Sequence, residues 1–430
     1  MQKINVSREA AIAVNRDSYY GHGKLEVLPK VTVSCLEDIA TLYTPGVGFA
    51  VRDIAADAEV LHELTSKDNT IAVVTDGTAV LGYGAVGPRA GAPVMEGKAI
   101  MFKMLAGIDS IALCVDARDG DHLVDIMCAL EPSFGGYNLE DVAAPTCFHV
   151  MRELERRLPI PVLHDDQYGT ATVVTAALTN AFKVTGRQPA DQRVVVNGAG
   201  AAGTATIDLL RTMGIGDIIV NDVEGILRRG VSYRHPHWEN LAGLTNAEGR
   251  KGGLAEAMRG ADVFIGLSKA DLVSGDMVAS MAPHPIIFTL ANPVPEVMPE
   301  ISLAAGAAVI ATGRYDYPNQ CNNVIGFPGL LRGALDTRAR RIAPEACLAA
   351  ARAIAADVPD ADLRPDCIVP TPLSDTLYPA VAEATARAIV ARGDARVDPG
   401  EGWSAENTRR LRHLVAKRQE ELARLLARSE

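Results

Sequence analysis

The sequence predicts an α/β protein with two α/β units and a C-terminal helix. Short β-rich runs alternate with longer helical patterns from about residue 70 onward, which is typical of parallel sheets. Hydrophobic residues make up 48% and charged residues 22% of the 430 positions, as in globular proteins of about two or three domains. The β-rich runs lie at 70–76, 110–117, 161–166, 193–198, 217–222, 262–268, 285–292 and 307–313.

Helical patterns fill the spaces between the first β-rich runs and follow the third. The stretch between Asp222 and Ala261 has little periodicity and several Gly, His, Pro and Asn residues, so we predict a long connection there. The predicted helices before that connection lie at 94–107, 122–131, 144–158 and 168–184.

The end of the chain predicts an amphipathic helix. From about Ala405, Leu and Val residues recur at helical spacing among many Arg and Glu residues. Such a helix can serve as an arm between subunits or dock on its own domain. The second interpretation is favoured, because an apolar stripe does not identify its partner.

Charge and composition exclude several classes of protein. The net charge is -11, so no nucleic-acid partner is expected. The seven cysteines are scattered and never form C-x-x-C, which argues against disulfides and thiolate zinc sites. The N-terminus lacks a signal-type apolar core and no run approaches the length of a membrane span. We therefore expect a cytoplasmic protein without a membrane partner.

The most specific local motif lies where the fourth β-rich run ends. Gly198, Gly200 and Gly203 follow a hydrophobic strand and open a helical pattern, as in dinucleotide-binding turns. In such turns the first glycine permits a tight turn, the second lets the backbone approach a pyrophosphate, and the third lets helix and strand pack closely. We assign a cofactor site to this turn, including Ala201 and Ala202.

A carboxylate at the end of the next run addresses the choice of cofactor. Asp222 follows Gly200 by about 20 residues, where a carboxylate can accept hydrogen bonds from a ribose diol. This favours NAD. Arg228 and Arg229 are close enough in sequence to receive a 2′-phosphate, so NADP stays possible. Ser268, at the end of another run, is also assigned to the cofactor site.

Two pairs of adjacent carboxylates stand at apparent junctions between elements: Glu140 with Asp141, and Asp165 with Asp166. Adjacent acids are usually solvated or cap helices, so neither pair is decisive alone. The second pair, however, ends an apolar strand and opens a helix, and open α/β sheets bind ligands outside such strand ends. Carboxylates without cysteine or paired histidine suit Mg²⁺ or Mn²⁺ rather than zinc.

Lys98 and Lys103 share one predicted helix but are about 140° apart around it. Both cannot occupy the centre of one solvent face. At least one is therefore expected to be partly desolvated, which lowers its pKa toward the range of a general base. The alternative is a lysine whose stem is buried while its amine stays in water. Tyr43 precedes a Pro-Gly break, where a phenol can line a cleft or simply occupy a turn.

These candidates belong to a set of segments in fixed order: GKLEVLPK (23–30), LYTPGV (42–47), DGTAVLGYG (76–84), VMEGKAIMFK (94–103), FGGYNLEDV (134–142), IPVLHDDQYGTA (160–171), VVVNGAGAAG (194–203), FTLANPVPE (288–296) and CNNVIGFPG (321–329). Together they resemble the malic enzyme family, in particular its compact bacterial branch. The resemblance runs over nearly the whole chain and is far more specific than any single motif.

The resemblance implies an activity, the oxidative decarboxylation of L-malate to pyruvate and CO2 with NAD or NADP and a divalent metal. It also implies a homo-oligomer, most simply a dimer. Alternatives are a malolactic-type enzyme and a relative that acts on another 2-hydroxy acid. A non-catalytic dinucleotide sensor would have no reason to keep a base, an acid and metal carboxylates together.

The resemblance further implies the domain organisation and the roles of residues. A Rossmann-type dinucleotide domain, residues 165–323, is inserted into an α/β substrate and metal domain, residues 1–164 and 324–430. The implied metal ligands are Glu140, Asp141 and Asp166. The implied catalytic residues are Lys98 as general base, Tyr43 as general acid and Asp165 beside Lys98. Substrate or nicotinamide contacts are implied for Asn292, Asn322 and Asn323.

The chain departs from the family pattern at two places. Tyr168 stands where a histidine is expected, which could alter the pocket or the entry of the helix. The connection between Asp222 and Ala261 has no close match, which leaves the preference between NAD and NADP open.

Overall fold

The computed structural model describes residues 6–16 and 22–426. In this part of the chain, ten strands form two sheets. The strands are β1 (Thr70–Thr75), β2 (Asp109–Cys114), β3 (Gly136–Leu139), β4 (Val162–His164), β5 (Arg193–Asn197), β6 (Asp217–Asp222), β7 (Gly225–Ile226), β8 (Val263–Gly266), β9 (Ile286–Thr289) and β10 (Val309–Thr312).

Helices occupy most of the sequence between and after the strands. They are α1 (Arg8–Arg16), α2 (Leu36–Leu42), α3 (Val47–Ala56), α4 (Leu61–Leu64), α5 (Pro88–Ala106), α6 (Gly120–Leu130), α7 (Thr146–Arg157), α8 (Thr170–Thr185), α9 (Ala201–Met213), α10 (Pro236–Leu244), α11 (Leu254–Met258), α12 (Gly275–Ala279), α13 (Pro299–Ala304), α14 (Phe327–Asp336), α15 (Pro344–Ala356), α16 (Leu377–Arg392) and α17 (Trp403–Leu426).

The first sheet is parallel throughout, in the order β2-β1-β3-β4. Three of its strands match predicted runs. The sequence did not predict β3, because its Gly-Tyr-Asn-Leu segment is short and lacks β-branched residues. Its pairing with β1 on one side and β4 on the other fixes it as a strand. The carboxyl ends of β3 and β4 therefore lie side by side.

The second sheet has the order β10-β9-β8-β5-β6-β7. It is parallel except for β7, which forms an antiparallel hairpin with β6. The chain order reverses direction between β5 and β8, which is the topological switch point of a Rossmann-type sheet and the usual place for a dinucleotide. All five predicted runs of this unit are strands, so the α/β prediction is confirmed.

Helices that follow the second sheet return to the first. One hydrophobic core contains side chains of β1 and α5 together with those of α14, α15 and α16. The C-terminal helix α17 also packs against α5, α14 and α16, with Leu411 seated on Gly107 and Val415 buried. The prediction that this helix docks on its own chain is confirmed.

The connection predicted between Asp222 and Ala261 is more ordered than expected. It contains β7, α10 and α11. In α10 the buried residues Trp238, Leu241 and Ala242 do have helical spacing, but nine residues are too few for a clear periodic signal.

The segment before the first sheet contrasts with the rest of the fold. Neither α2 nor α3 buries any residue. Apolar side chains exposed there are Leu25, Val27, Leu28, Val31, Val33, Leu36, Ile39, Leu42, Tyr43, Val47, Phe49 and Val51.

In the part of the chain that the structure describes, no helix is long and apolar enough to cross a bilayer.

Candidate active site

Four carboxylates meet at the carboxyl edge of the first sheet. Glu140 and Asp141 follow β3, and Asp165 and Asp166 follow β4. Because β3 and β4 are adjacent and parallel, both pairs emerge at the same edge. The sequence predicted a strand end only before Asp165 and Asp166, and the adjacency of the two pairs depends on the unpredicted strand β3.

Three of these carboxylates form a cluster with the geometry of a cation site. One oxygen each of Glu140, Asp141 and Asp166 lies within 4.8 Å of the others. The Asp141 backbone N–H donates to Asp166 Oδ2 at 2.8 Å, and Asp141 Oδ2 is buried without a hydrogen-bond partner. An unpartnered buried carboxylate oxygen beside two more carboxylates fits a hard divalent cation.

Two residues that the sequence did not identify lie against this cluster. Asn138 donates from Nδ2 to Glu140 Oε2 at 2.8 Å, and His164 Nε2 lies 3.4 Å from Asp166 Oδ2. Both are buried polar residues at the ends of strands. Their position just before the acids was the available signal.

Burial opposes the ionisation of two carboxylates of this cluster. Burial raises the pKa of Glu140 well above its ordinary value, and burial together with Asp166 raises the pKa of Asp141 to about 6. Glu140 and Asp141 therefore ionise at a cost in this fold, whereas at Asp166 the contact with His164 outweighs burial and lowers the pKa of the carboxyl. A bound divalent cation would offset that cost.

Divalent cations should stabilise the protein more at neutral than at acidic pH. Because the folded pKa of Asp141 is raised, its ionised form destabilises the fold above pH about 6, and protonation relieves this as the pH falls. A cation binds the ionised form, so protons compete with it below that pH. We expect Mn²⁺ to raise Tm clearly at pH about 7.5 and little at about pH 5. Differential scanning fluorimetry measures this, with KCl at equal ionic strength as the control. A Mn²⁺-induced shift that grows on acidification would contradict the site.

Lys98 lies beside the cluster, between two carboxylates and a ring. Its Nζ is 2.5 Å from Asp165 Oδ2, 3.0 Å from Glu140 Oε1 and 4.3 Å from the centre of the Phe327 ring. Its side chain is only 10% exposed, as predicted for one of the two lysines. Lys103 faces away and pairs with Asp109 at 2.6 Å.

The expectation of a lowered pKa for Lys98 is wrong for this structure. Burial does oppose its charge, but the charges of Asp165 and Glu140 outweigh burial and raise the pKa above its ordinary value. The helical spacing indicated desolvation, whereas the two carboxylates come from β3 and β4 and could not be predicted from the helix alone.

Asp165 is the fixed partner of Lys98. It is fully buried, and Asn323 donates to the same Oδ2 at 2.5 Å. Its other oxygen lies over Gly169, where an added Cβ would be 1.7 Å away, so only glycine fits there. The neighbouring Asn322 accepts the Val324 N–H through its side chain and so shapes the turn that carries Asn323.

Tyr168, the departure from the family pattern, turns toward α9. Its hydroxyl donates to Asp208 Oδ2 at 3.1 Å, and burial together with Asp208 raises its pKa. The residue therefore joins the start of α8 to α9.

The other predicted active-site residues lie on loops. Among the described residues, no hydrogen bond joins Tyr43 to Lys98 or to the carboxylate cluster. The Tyr43 side chain is exposed at the end of α2. Asn292 follows β9 and is exposed, with its Nδ2 only 2.5 Å from the position of a Cβ on Gly313.

The glycine-rich turn has the predicted backbone shape. Gly198 has φ 111°, and a Cβ there would lie 2.6 Å from the Leu267 carbonyl oxygen. A Cβ on Gly203 would lie 1.8 Å from the Gly198 carbonyl oxygen. Only a glycine at this position of α9 therefore lets the helix pack against the turn. A Cβ on Gly200 would meet no atom within 4 Å, so there is open space beside the first residues of α9, Ala201 and Ala202.

Asp222 lies against this turn. Its two oxygens accept the N–H groups of Ala199 at 2.6 Å and Val223 at 2.7 Å. Each oxygen keeps a further lone pair for a ribose hydroxyl. Of the two arginines, Arg229 donates to the Gly243 carbonyl, which engages its guanidinium elsewhere.

Comparisons with known proteins agree with this architecture. Residues 22–120 match the family described as malic enzyme, N-terminal domain, and residues 167–389 match malic enzyme, NAD binding domain. The crystal structure of malic enzyme from Pyrococcus horikoshii is 41% identical and superposes with a TM-score of 0.91, covering 96% of this chain and 99% of that one.

Curated relatives lead to the same family. The bifunctional malic/malolactic enzyme of Bacillus subtilis is 46% identical over 94% of this chain and 98% of its own length. The NAD-dependent malic enzyme of Geobacillus stearothermophilus is 46% identical over 87% of this chain and 78% of its own length. The chain spans about half the length of the NADP-dependent malic enzyme of Escherichia coli, to which it is 41% identical. The chain therefore belongs to the malic enzyme family.

Proposed function

We propose that the protein catalyses the oxidative decarboxylation of L-malate to pyruvate and CO2, with reduction of NAD or NADP and dependence on Mg²⁺ or Mn²⁺. The observation that carries the proposal is the contact of Lys98 with Asp165 and Glu140 beside the carboxylate cluster. The names of the relatives support the same reaction.

The protein's own groups divide between binding and proton transfer. Glu140, Asp141 and Asp166 would hold the divalent cation. When bound, the cation would supply a Lewis acid and the dinucleotide a hydride acceptor. Asn292 and Asn323 would contact substrate or nicotinamide, and Asn322 shapes the turn that carries Asn323.

Lys98 takes the proton of the C2 hydroxyl, and Tyr43 returns a proton to C3. To act as a base, Lys98 must first lose its own proton. The negative charges of Asp165 and Glu140 oppose this loss, because they favour the protonated amine. Glu140, once it serves as a cation ligand, holds that proton less strongly. Asp165 then keeps the amine in place, and Asn323 holds Asp165.

We also propose the domain division as residues 165–323 for the dinucleotide domain and residues 1–164 with 324–430 for the substrate domain. The return of α14, α15 and α16 to the core of the first sheet supports this insertion.

An assay of nicotinamide reduction with L-malate, with and without Mn²⁺, tests the proposed reaction. Product analysis separates it from a second candidate, a malolactic reaction, which the name of the Bacillus subtilis relative favours. Pyruvate with stoichiometric NADH supports oxidative decarboxylation. Lactate without accumulation of NADH supports the malolactic reaction.

NAD should be preferred to NADP. The Asp222 carboxylate lies at the glycine-rich turn, accepts hydrogen bonds from a ribose diol and repels a 2′-phosphate. The measurement is kcat/KM for both cofactors, in the wild type and in an Arg228→Ala, Arg229→Ala double variant. An NADP preference in the wild type that collapses in the double variant would overturn the choice and assign the phosphate to those arginines.

We further propose a homodimer that covers the N-terminal segment. Residues 22–56 contain α2 and α3, and no side chain of these two helices is buried. The segment exposes apolar side chains along its length. Sedimentation velocity measures the assembly. A second copy on this segment would also account for the exposure of Tyr43 in a single chain.

Tyr43→Phe should slow the protonation of C3 by about 100-fold while malate oxidation falls less, because the phenol acts after the hydride leaves. Solvent-proton exchange into pyruvate reports the protonation of C3, and nicotinamide reduction reports the oxidation of malate. Tyr317→Phe is the control, since that hydroxyl bonds Glu300 on the surface. Equal losses in both steps would remove the assigned role.

A further inference from the structure

A row of buried polar residues crosses the second sheet where its strands end. Asn221, Asn197, Gly266 and Thr289 stand in register on β6, β5, β8 and β9. The side chains of the two asparagines and the threonine are buried, and each follows an apolar residue on its strand. Residues in one such row face the same side of a sheet. Core packing alone would favour apolar residues here.

Glu296 takes the place that a side chain at Gly266 would fill. A Cβ on Gly266 would lie 2.4 Å from Glu296 Cδ. The carboxylate is fully buried and accepts hydrogen bonds from Ser268 N at 3.0 Å, Thr289 Oγ1 at 3.0 Å and Ala291 N at 3.1 Å. It forms no ion pair with any described residue. A buried carboxylate is costly unless hydrogen-bonded, and these bonds tie together the loops after β8 and β9.

The asparagines form a directed chain that ends on Ser268. Asn221 Nδ2 donates to Asn197 Oδ1 at 2.8 Å, and Asn197 Nδ2 donates to Ser268 Oγ at 2.7 Å. The opposite amide orientation would leave a buried amide donor of Asn221 without an acceptor, which costs more than the unpartnered Asn221 Oδ1 of this orientation. Ser268 Oγ therefore acts as an acceptor inside the protein, and its own proton stays available.

Ser268 faces the crevice at the switch point. The residue is exposed, and a Cβ on Gly198 across the crevice would lie 3.2 Å from its Cβ. The hydrogen-bonded series of Asn221, Asn197 and Ser268 thus ends in the crevice where a dinucleotide lies in such sheets.

We infer that Asn197 and Glu296 are positioning residues for the cofactor: Asn197 directs the Ser268 hydroxyl proton outward as a donor to the dinucleotide, and Glu296 fixes the Ser268 backbone. The inference rests on the proposed dinucleotide site. It assigns to two buried residues a part in cofactor affinity without any contact with the cofactor.

A double-mutant cycle on NADH binding tests the inference. Asn197→Ala and Ser268→Ala should each raise the Kd of NADH about five- to tenfold, the effect of one lost hydrogen bond. The double variant should bind about as weakly as either single variant, because Asn197 acts through the Ser268 hydroxyl. Kd is measured by fluorescence titration, which needs no malate turnover, so failure of the proposed reaction leaves this test intact.

A second pair of variants keeps the test independent of folding at Asn197. Glu296→Gln removes one carboxylate acceptor and should weaken NADH binding in the wild type but not further in Ser268→Ala. Glu300→Gln is the matched control, because this nearby carboxylate accepts a hydrogen bond from Tyr317 on the surface. Additive losses in the cycle, or unchanged NADH affinity in both Asn197→Ala and Glu296→Gln, would show a purely structural row and overturn the inference.

Discussion

Lys98→Met should lower kcat for malate oxidation by about 10³-fold or more, because it removes the group that takes the C2 hydroxyl proton. Methionine keeps much of the apolar stem that lies among α5, Asp165 and Phe327. NADH affinity should stay within about threefold of the wild type, since the dinucleotide turn belongs to the other sheet. Steady-state kinetics and fluorescence titration give the two quantities.

The matched control for this change lies on the same helix. Lys103→Met removes a lysine that pairs with Asp109 away from the carboxylate cluster, so kcat should change little. Comparable losses in both variants would mean that α5 tolerates no such change, and would leave Lys98 without a specific role. Retention of malate oxidation in Lys98→Met would exclude it as the base.

The sequence predicted the parts of the site that depend on local geometry. Gly198 and Gly203 were identified by spacing, and the structure shows why other residues fail there: an added Cβ would meet the Leu267 and Gly198 carbonyl oxygens. Such constraints act within one strand, turn and helix, so one segment of sequence contains them.

The parts that the sequence could not predict depend on contacts between segments. The strand β3 is set by its neighbours β1 and β4 rather than by its own residues, and it brings Glu140 to Asp165. The raised pKa of Lys98 follows from that meeting. The polar row of Asn197 and Asn221 likewise appears only once β5 and β6 are paired in register.

Tyr43 marks a different limit. Its segment matches the family motif, yet α2 and α3 bury no residue in the single chain. The environment of such a side chain depends on what covers the segment, which neither local sequence nor one folded chain specifies.

Asp166→Asn should abolish metal-dependent malate oxidation, with kcat reduced by about 10³-fold or more at a Mn²⁺ concentration that saturates the wild type. Removal of one of three carboxylate ligands weakens the cation site and the polarisation it supplies. The fold should persist, because an asparagine oxygen can still accept the Asp141 N–H. NADH affinity should persist as well, since Asp222 and the glycine-rich turn lie at the edge of the other sheet.

The measurement combines Mn²⁺ titration of activity with NADH binding and Tm. Asp121→Asn is the control, an exposed carboxylate on α6 that pairs with His149, and it should leave all three quantities unchanged. Chelation of the wild type should reproduce the loss seen in Asp166→Asn, and restored Mn²⁺ should recover the wild type alone. Full turnover after chelation, with the absence of metal verified by elemental analysis, would refute a metal-dependent reaction.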